Sequence, residues 1–224
     1  MGIDKNIMPK IKKALISVSD KKNLKNILKI LSKYKIKIIS SGGTYKEIKK
    51  LKYKCHEISN YTNSPEILDG RVKTLHPKIH AGILSKRKNR SHKNDLKKQN
   101  FDEIDLVIVN FYPFEETIKH SNNHSKIIEK IDIGGPTMVR AAAKNYNDVT
   151  VVTSINQYKE LIEEIEKFKG STSLNFREKM SLEAFSETAY YDAVISNYFN
   201  KFKKNNFPKK KIIYGNLIDK LRYG

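Results

Sequence analysis

The sequence predicts an α/β fold: a mainly parallel sheet with helices on both faces. Two patterns carry that prediction. Short apolar runs recur along the chain, each long enough for a buried strand. The stretches between them place apolar residues at helical spacing. Strands alternating with helices make a parallel sheet, and its connections should be right-handed.

Residues 14–18, ALISV, are the first buried strand and lead into Ser19 and Asp20. Residues 23–33 follow, with Leu24, Ile27, Leu28 and Leu31 on one helical face. Residues 36–40, IKIIS, are the second strand, running into Ser41-Gly42-Gly43-Thr44 and a short helix to about residue 51. Residues 105–109, DLVIV, are the third strand and end at Asn110. In residues 131–145, IDIGGPTMVRAAAKN, Pro136 suits a first helical turn, and Arg140 and Lys144 share one face. Residues 149–153, VTVVT, are a further strand, followed by a helix over 157–168. A longer helical pattern covers 175–200, with Met180, Leu182, Phe185, Ala189 and Ala193. Residues 1–200 are expected to form one domain. Residues 201–224 open on a basic stretch with Asn and Pro, suited to a linker.

Composition narrows the function classes. Of 224 residues, 38% are hydrophobic, enough for a packed core and too many for a disordered chain. No apolar run approaches a bilayer span, and the first residues lack the apolar block of a signal peptide. A single cysteine, Cys55, excludes an internal disulfide framework and fits a reducing, cytoplasmic setting. It reads as a small, partly buried side chain. The net charge of +20 raises nucleic acid as a partner. Yet the basic residues are 38 Lys and only 6 Arg, spread along the whole chain among abundant Ile and Asn. That pattern reads as compositional bias, and a general attraction for small anions remains.

Open α/β sheets bind ligands beyond the carboxyl ends of their strands. Here those ends supply Ser17, Ser19 and Lys21; then Ser41, Gly42, Gly43 and Thr44; then Asn110 and Tyr112. SGGT opening a helix suits a phosphate, because glycines admit close backbone approach and free amides point outward. The same residues could serve as a local helix cap. No GxxxxGK[ST] string occurs, so nothing implies ATP. Residues 131–145 admit two readings: a capped helix with an exposed Arg/Lys face, or an acid–base site around Asp132. Residues 69–84, DGRVKTLHPKIHAGIL, crowd an acid, Arg71, Lys73, Thr74 and two histidines into a stretch that reads poorly as helix or strand. His76 and His80 have metal-pair spacing, but Pro77 disfavours helix at His76, and no metal is expected. The other four histidines, His56, His92, His120 and His124, lie in polar stretches and read as exposed.

Five strings occur in order: SVSDK (17–21), SSGGT (40–44), DGRVKTLHPKIHAGIL (69–84), NFYPF (110–114) and IDIGGPTMVRAAAKN (131–145). Together they resemble the N-terminal IMP cyclohydrolase domain of the bifunctional purine biosynthesis enzymes, which has the methylglyoxal-synthase-like (MGS-like) fold. The resemblance covers about residues 12–200. The terminal KLRYG resembles the start of that family's second domain, the formyltransferase.

The resemblance implies dehydrative closure of 5-formamidoimidazole-4-carboxamide ribotide to IMP, without cofactor, metal or ATP. It implies that Ser17, Ser19, Lys21, Ser41, Gly42, Gly43 and Thr44 bind substrate, chiefly at the 5′-phosphate. Arg71, Thr74, Asn110, Gly134 and Gly135 complete the substrate contacts, with Arg71, Lys73 and Thr74 near the base. Lys73, Tyr112, Asp132 and Lys144 match catalytic positions. The family's partners are a phosphorylated imidazole ribotide and a second copy in a homodimer, with no membrane or nucleic acid. The one departure is Phe111, where relatives often carry Leu. Two rivals remain at this stage. Methylglyoxal synthase shares the fold and would turn over dihydroxyacetone phosphate. A binding protein without activity, including a basic RNA binder, would show steeply salt-dependent RNA affinity.

Overall fold

The computed structural model describes residues 8–219 and 221. It opens with β1 (Lys13–Val18), α1 (Leu24–Lys33), β2 (Lys37–Ser40) and α2 (Gly42–Lys50), then β3 (His56–Glu57) and α3 (Ile58–Thr62). A 3₁₀ turn at Leu68–Gly70 precedes α4 (Pro77–Leu84) and α5 (Arg90–Lys98). Next come β4 (Leu106–Asn110), α6 (Phe114–His120), α7 (His124–Ile128) and α8 (Gly134–Lys144). The chain continues with β5 (Thr150–Val152), α9 (Tyr158–Lys167) and α10 (Leu174–Phe202).

The five strands form one sheet in the order β3-β2-β1-β4-β5, every pair parallel. Leu106, Val107, Ile108 and Val109 of β4 are buried one after another, as a strand covered on both faces requires. On α1, Leu24, Ile27, Leu28, Ile30 and Leu31 are buried, and the helix packs against α9. A second layer comes from α8, which lies on β4 and β5 and packs against α4. Burying each large aliphatic side chain contributes roughly 1.5–3 kcal/mol. The run Ala141–Ala143 lets α8 approach closely, since all three are buried with no bulk to accommodate.

The described chain divides into two compact units. One comprises the residues up to Tyr112 together with Asp132–Phe185, and holds the sheet. The other comprises Pro113–Ile131 and the residues from Ser186 onward. Its centre is aromatic: the Phe114 ring meets Tyr191 and Tyr198 edge-on at 6.2 and 5.7 Å, and His124 stacks on Phe202 at 3.8 Å.

Several details differ from the sequence reading. β3 has two residues and no apolar run, so periodicity does not reveal it; it exists because Ile39 and Ser40 pair with His56 and Glu57. The 69–84 stretch contains a helix after all. Pro77 occupies its first turn, and extended His76 caps it, the Nδ1 accepting from Lys78 N–H at 3.1 Å. Pro77 keeps His76 out of the helix and starts the helix at once. His92 and His124 are half-buried rather than exposed, His92 because its Nδ1 accepts from Lys86 N–H and His124 because of its aromatic stack. Part of the KLRYG string, residues 220 and 222–224, lies outside the described residues.

Candidate active site

Parallel strands bring their carboxyl ends to one edge, and the order β2-β1-β4 makes the loops after them neighbours. Asn110 ends β4 and ties two of these loops together. Its Oδ1 accepts from the Ser19 and Asp20 N–H groups at 2.6 and 2.9 Å, and its Nδ2 donates to the Asp20 carbonyl at 2.9 Å. All three hydrogen bonds of that carboxamide go to the backbone, so Asn110 shapes the loop. Lys21 points back across it, Nζ donating to the Ser19 carbonyl at 3.1 Å. A methyl placed on Gly43 would lie 3.8 Å from the same ammonium, which puts Lys21 over the start of α2.

The first turn of α2 has no side-chain cap. Ser41 is its extended N-cap residue, but the hydroxyl makes no capping bond. Thr44 does not cap either: its Oγ1 accepts from Val18 N–H and donates to the Val18 carbonyl, both at 3.0 Å. The leading amides therefore stay available to an anion, with an ammonium above them. Ser17 lies half-buried on β1, one residue before the strand's end.

The segment before α4 carries the next groups. Leu68, Asp69 and Gly70 sit consecutively in left-handed backbone, at φ 54°, 52° and 88°. Two of them carry side chains, at a cost of roughly 1–2 kcal/mol each, and such strain concentrates at functional loops. The turn delivers Lys73 to the α2 start: a methyl on Gly42 would lie 3.4 Å from Lys73 Nζ. Lys73 Nζ is held by Glu66 Oε1 at 2.6 Å. Arg71 lies exposed on the same segment, and Thr74 is buried.

The buried Thr74 abuts the start of α8. A side chain on Gly134 would overlap Thr74 Oγ1, and one on Gly135 would overlap the Asp132 carboxylate. These two glycines are required by close approach. Asp132 Oδ1 accepts from Gly135 N–H at 2.8 Å, and the Tyr112 N–H also serves the carboxylate. Burial, the largest influence, pushes the Asp132 carboxyl above the usual carboxylate range, against the pull of those two amides. Tyr112, whose N–H serves this carboxylate, and Ile133, the residue after it, are 48% and 58% exposed.

The structure thus gathers Ser19, Lys21, Ser41, Gly42, Gly43, Lys73, Thr74, Asn110, Tyr112, Asp132, Gly134 and Gly135 at the strand ends. Lys144 is not among them. It ends α8, whereas Asp132 precedes it, and 11 residues separate the two ends by roughly 15 Å at about 1.5 Å per residue. Lys144 lines a separate cleft of about 470 Å³ with Arg140, Tyr146, Ser181 and Phe185, and Arg140 lies 5.7 Å over the Phe185 ring. Glu66 is the residue sequence reasoning missed. Nothing in its local spacing signals a partner, because the ion pair depends on the left-handed turn between it and Lys73. Among the described residues, no group of three or more His, Cys, Asp or Glu is placed to hold a metal ion. Burial pushes the Cys55 thiol up to about 12, which suits an inert side chain.

Comparison with known proteins places this architecture. The profile of the MGS-like domain family matches residues 23–137, and that of the AICARFT/IMPCHase bienzymes matches residues 142–224. The bifunctional purine biosynthesis protein PurH of Bradyrhizobium diazoefficiens is 44% identical over 215 residues, which is 96% of this chain and 41% of that protein. The PurH of Lactobacillus acidophilus is 48% identical over 215 residues, 96% of this chain and 42% of its own length. The crystal structure of ForH is similar with a TM-score of 0.75 at 28% identity, covering 84% of this chain and 96% of that one. The chain spans about two fifths of the length of the curated relatives it matches. With one profile over half of its residues and a second over its C-terminal third, the chain belongs to the MGS-like domain family and corresponds to the N-terminal part of the AICARFT/IMPCHase bienzymes.

Proposed function

We propose that this chain is an IMP cyclohydrolase, closing 5-formamidoimidazole-4-carboxamide ribotide to IMP with release of water. The observation that carries the reading is Asp132: a half-buried carboxylate with a raised pKa, taking the Tyr112 N–H, at the same strand ends as a cationic, uncapped helix start. The substrate's 5′-phosphate takes the amides of α2 beneath Lys21, and its planar base lies between Tyr112 and Ile133.

Within one bound molecule, the carboxamide nitrogen attacks the formyl carbon. Holding the two groups in the reactive conformer supplies much of the acceleration. A C–N bond forms, and the formyl C=O becomes an oxyanion that the Lys73 ammonium stabilises and protonates. Asp132 accepts the proton from the attacking nitrogen, which its raised pKa favours. The formamide nitrogen then gives its N–H proton to the neutral Lys73 amine, and the former formyl oxygen leaves as water on a proton from Tyr112, completing the aromatic ring. The proton held by Asp132 restores Tyr112. Lys144, at the far end of α8, does not reach these atoms within one chain.

The family's homodimer and a cytoplasmic setting go with this reading. Among the described residues, no helix is long and apolar enough to cross a membrane. The test is purified chain and the ribotide, without folate, metal or ATP, with IMP followed by absorbance. IMP formation well above the uncatalysed rate is expected. Folded protein that gives no acceleration overturns the reading, and turnover of dihydroxyacetone phosphate would replace it with a synthase.

A further inference from the structure

We propose that Glu66 is a positioning residue that keeps the Lys73 ammonium off the bound phosphate and available for ring closure; its part in turnover rests on the cyclohydrolase reading. Lys73 Nζ meets Glu66 Oε1 at 2.6 Å. A β-carbon on Gly70 would overlap that same oxygen and lie 3.0 Å from Nζ, and one on Gly42 would lie 3.4 Å from Nζ. The ion pair therefore lies against the Gly70 backbone, with the start of α2 within the ammonium's reach. Local backbone sets this pairing. Ile67 and Val72 form an isolated antiparallel bridge, with N–H···O distances of 3.3 and 3.4 Å. Glu66 and Lys73 are the next residues outward, which makes them cross-strand neighbours. Gly70, at φ 88°, turns the chain between them and leaves the space that the pair fills.

The carboxylate matters because Lys73 has two possible targets in the bound complex. A lysine is a point charge on a flexible four-carbon stem, so its position is set by whichever anion holds it. Once substrate is bound, the phosphate on the α2 amides competes for that ammonium. A charge-assisted contact is about twice as strong as a neutral one, so the phosphate outbids the neutral formyl oxygen of the ground state. An ammonium captured by the phosphate adds equal binding to ground and transition states and loses the developing oxyanion. Glu66 opposes that capture. One of the three ammonium donors goes to Glu66, which leaves two for the formyl oxygen. Lys21, whose Nζ donates to the Ser19 carbonyl over the start of α2, remains to serve the phosphate.

The test is E66Q, which keeps the length of the arm and removes its charge. The Lys73 and Glu66 side chains are 25% and 45% exposed, so the pair is solvated and contributes little to stability. The melting temperature should stay within about 3 °C of the parent. In the IMP assay, kcat is expected to fall about tenfold or more, with KM unchanged or lower. A merely structural role would raise KM and lower the melting temperature together, and parental kcat in E66Q overturns the proposal. A second arm needs no turnover: inorganic phosphate titrated into the free protein by calorimetry at low salt. E66Q should bind phosphate about threefold tighter than the parent or better, and most of that gain should vanish when E66Q/K73M is compared with K73M. An equal gain with and without Lys73 would mark a general field effect, and no gain would show that the ammonium is not released; either result overturns the proposal. An inactive parent with this phosphate cycle intact would count against the cyclohydrolase reading and leave the hold of Glu66 on Lys73 standing.

Discussion

Asp132 is asked to be an ionised base while half-buried, and those demands oppose each other. Its folded-state pKa is raised above the unfolded value, mainly by burial. The stability it contributes is thus fully present below the ordinary carboxylate pKa and is lost as pH rises through the folded value. Asp132→Asn removes that loss while keeping one acceptor for Gly135 N–H. The expected result at pH 7 is a melting temperature at or above the parent's with turnover lowered by about 100-fold or more. A calorimetric scan beside the IMP assay checks both; retained turnover would take Asp132 out of the chemistry. Thr44 shows the opposite case. Its hydroxyl proton is committed to the Val18 carbonyl, so it has none to offer a phosphate. Thr44→Val should cost roughly 1–3 kcal/mol through the unpaired Val18 groups. That lowers the melting temperature by several degrees and leaves KM within about threefold. A raised KM at parental stability would return the hydroxyl to the phosphate.

At the scale of elements, the site is a set of helix starts and strand ends meeting at contacts too close for side chains. The start of α8 depends on Gly134, where a β-carbon would overlap Thr74 Oγ1. Gly134→Ala should push the Lys73–Thr74 segment away, costing about 1–3 kcal/mol of overpacking and lowering kcat/KM at least tenfold. Parental kinetics in Gly134→Ala would show that the contact relaxes harmlessly. The sequence signals for these elements were uneven. SGGT, as a turn into a helix, was legible from Gly-Gly beside Ser and Thr. Its missing side-chain cap was not, because that depends on Thr44 turning to β1. Helix α4 was hidden because its only strong start signal, Pro77 after His76, looked like a break.

For the whole molecule, the net charge of +20 sets how anions meet it. Lysines without bidentate geometry give a diffuse field, and salt screens that field over about 10 Å at 0.1 M. Raising salt from about 20 to 200 mM should therefore raise KM for the phosphorylated substrate several-fold, with kcat little changed. A flat KM would remove the charge from substrate encounter.

The sequence by itself determined the fold class, four of the five strands and the identities of the strand-end residues, since apolar runs and helical spacing are local properties. The family resemblance brought Lys73, Tyr112, Asp132 and Lys144 forward as one set. Only the tertiary structure decided which of them meet. Asp132 and Lys144 are twelve positions apart in one motif, yet a helix converts that interval into a rise along its axis and puts them at opposite ends of α8. Lys73 and Gly42 are far apart in sequence and become neighbours because parallel strands deliver their loops to one edge. The role of Glu66 rests on a non-local contact of this kind, made across a left-handed turn, and no spacing rule anticipates it.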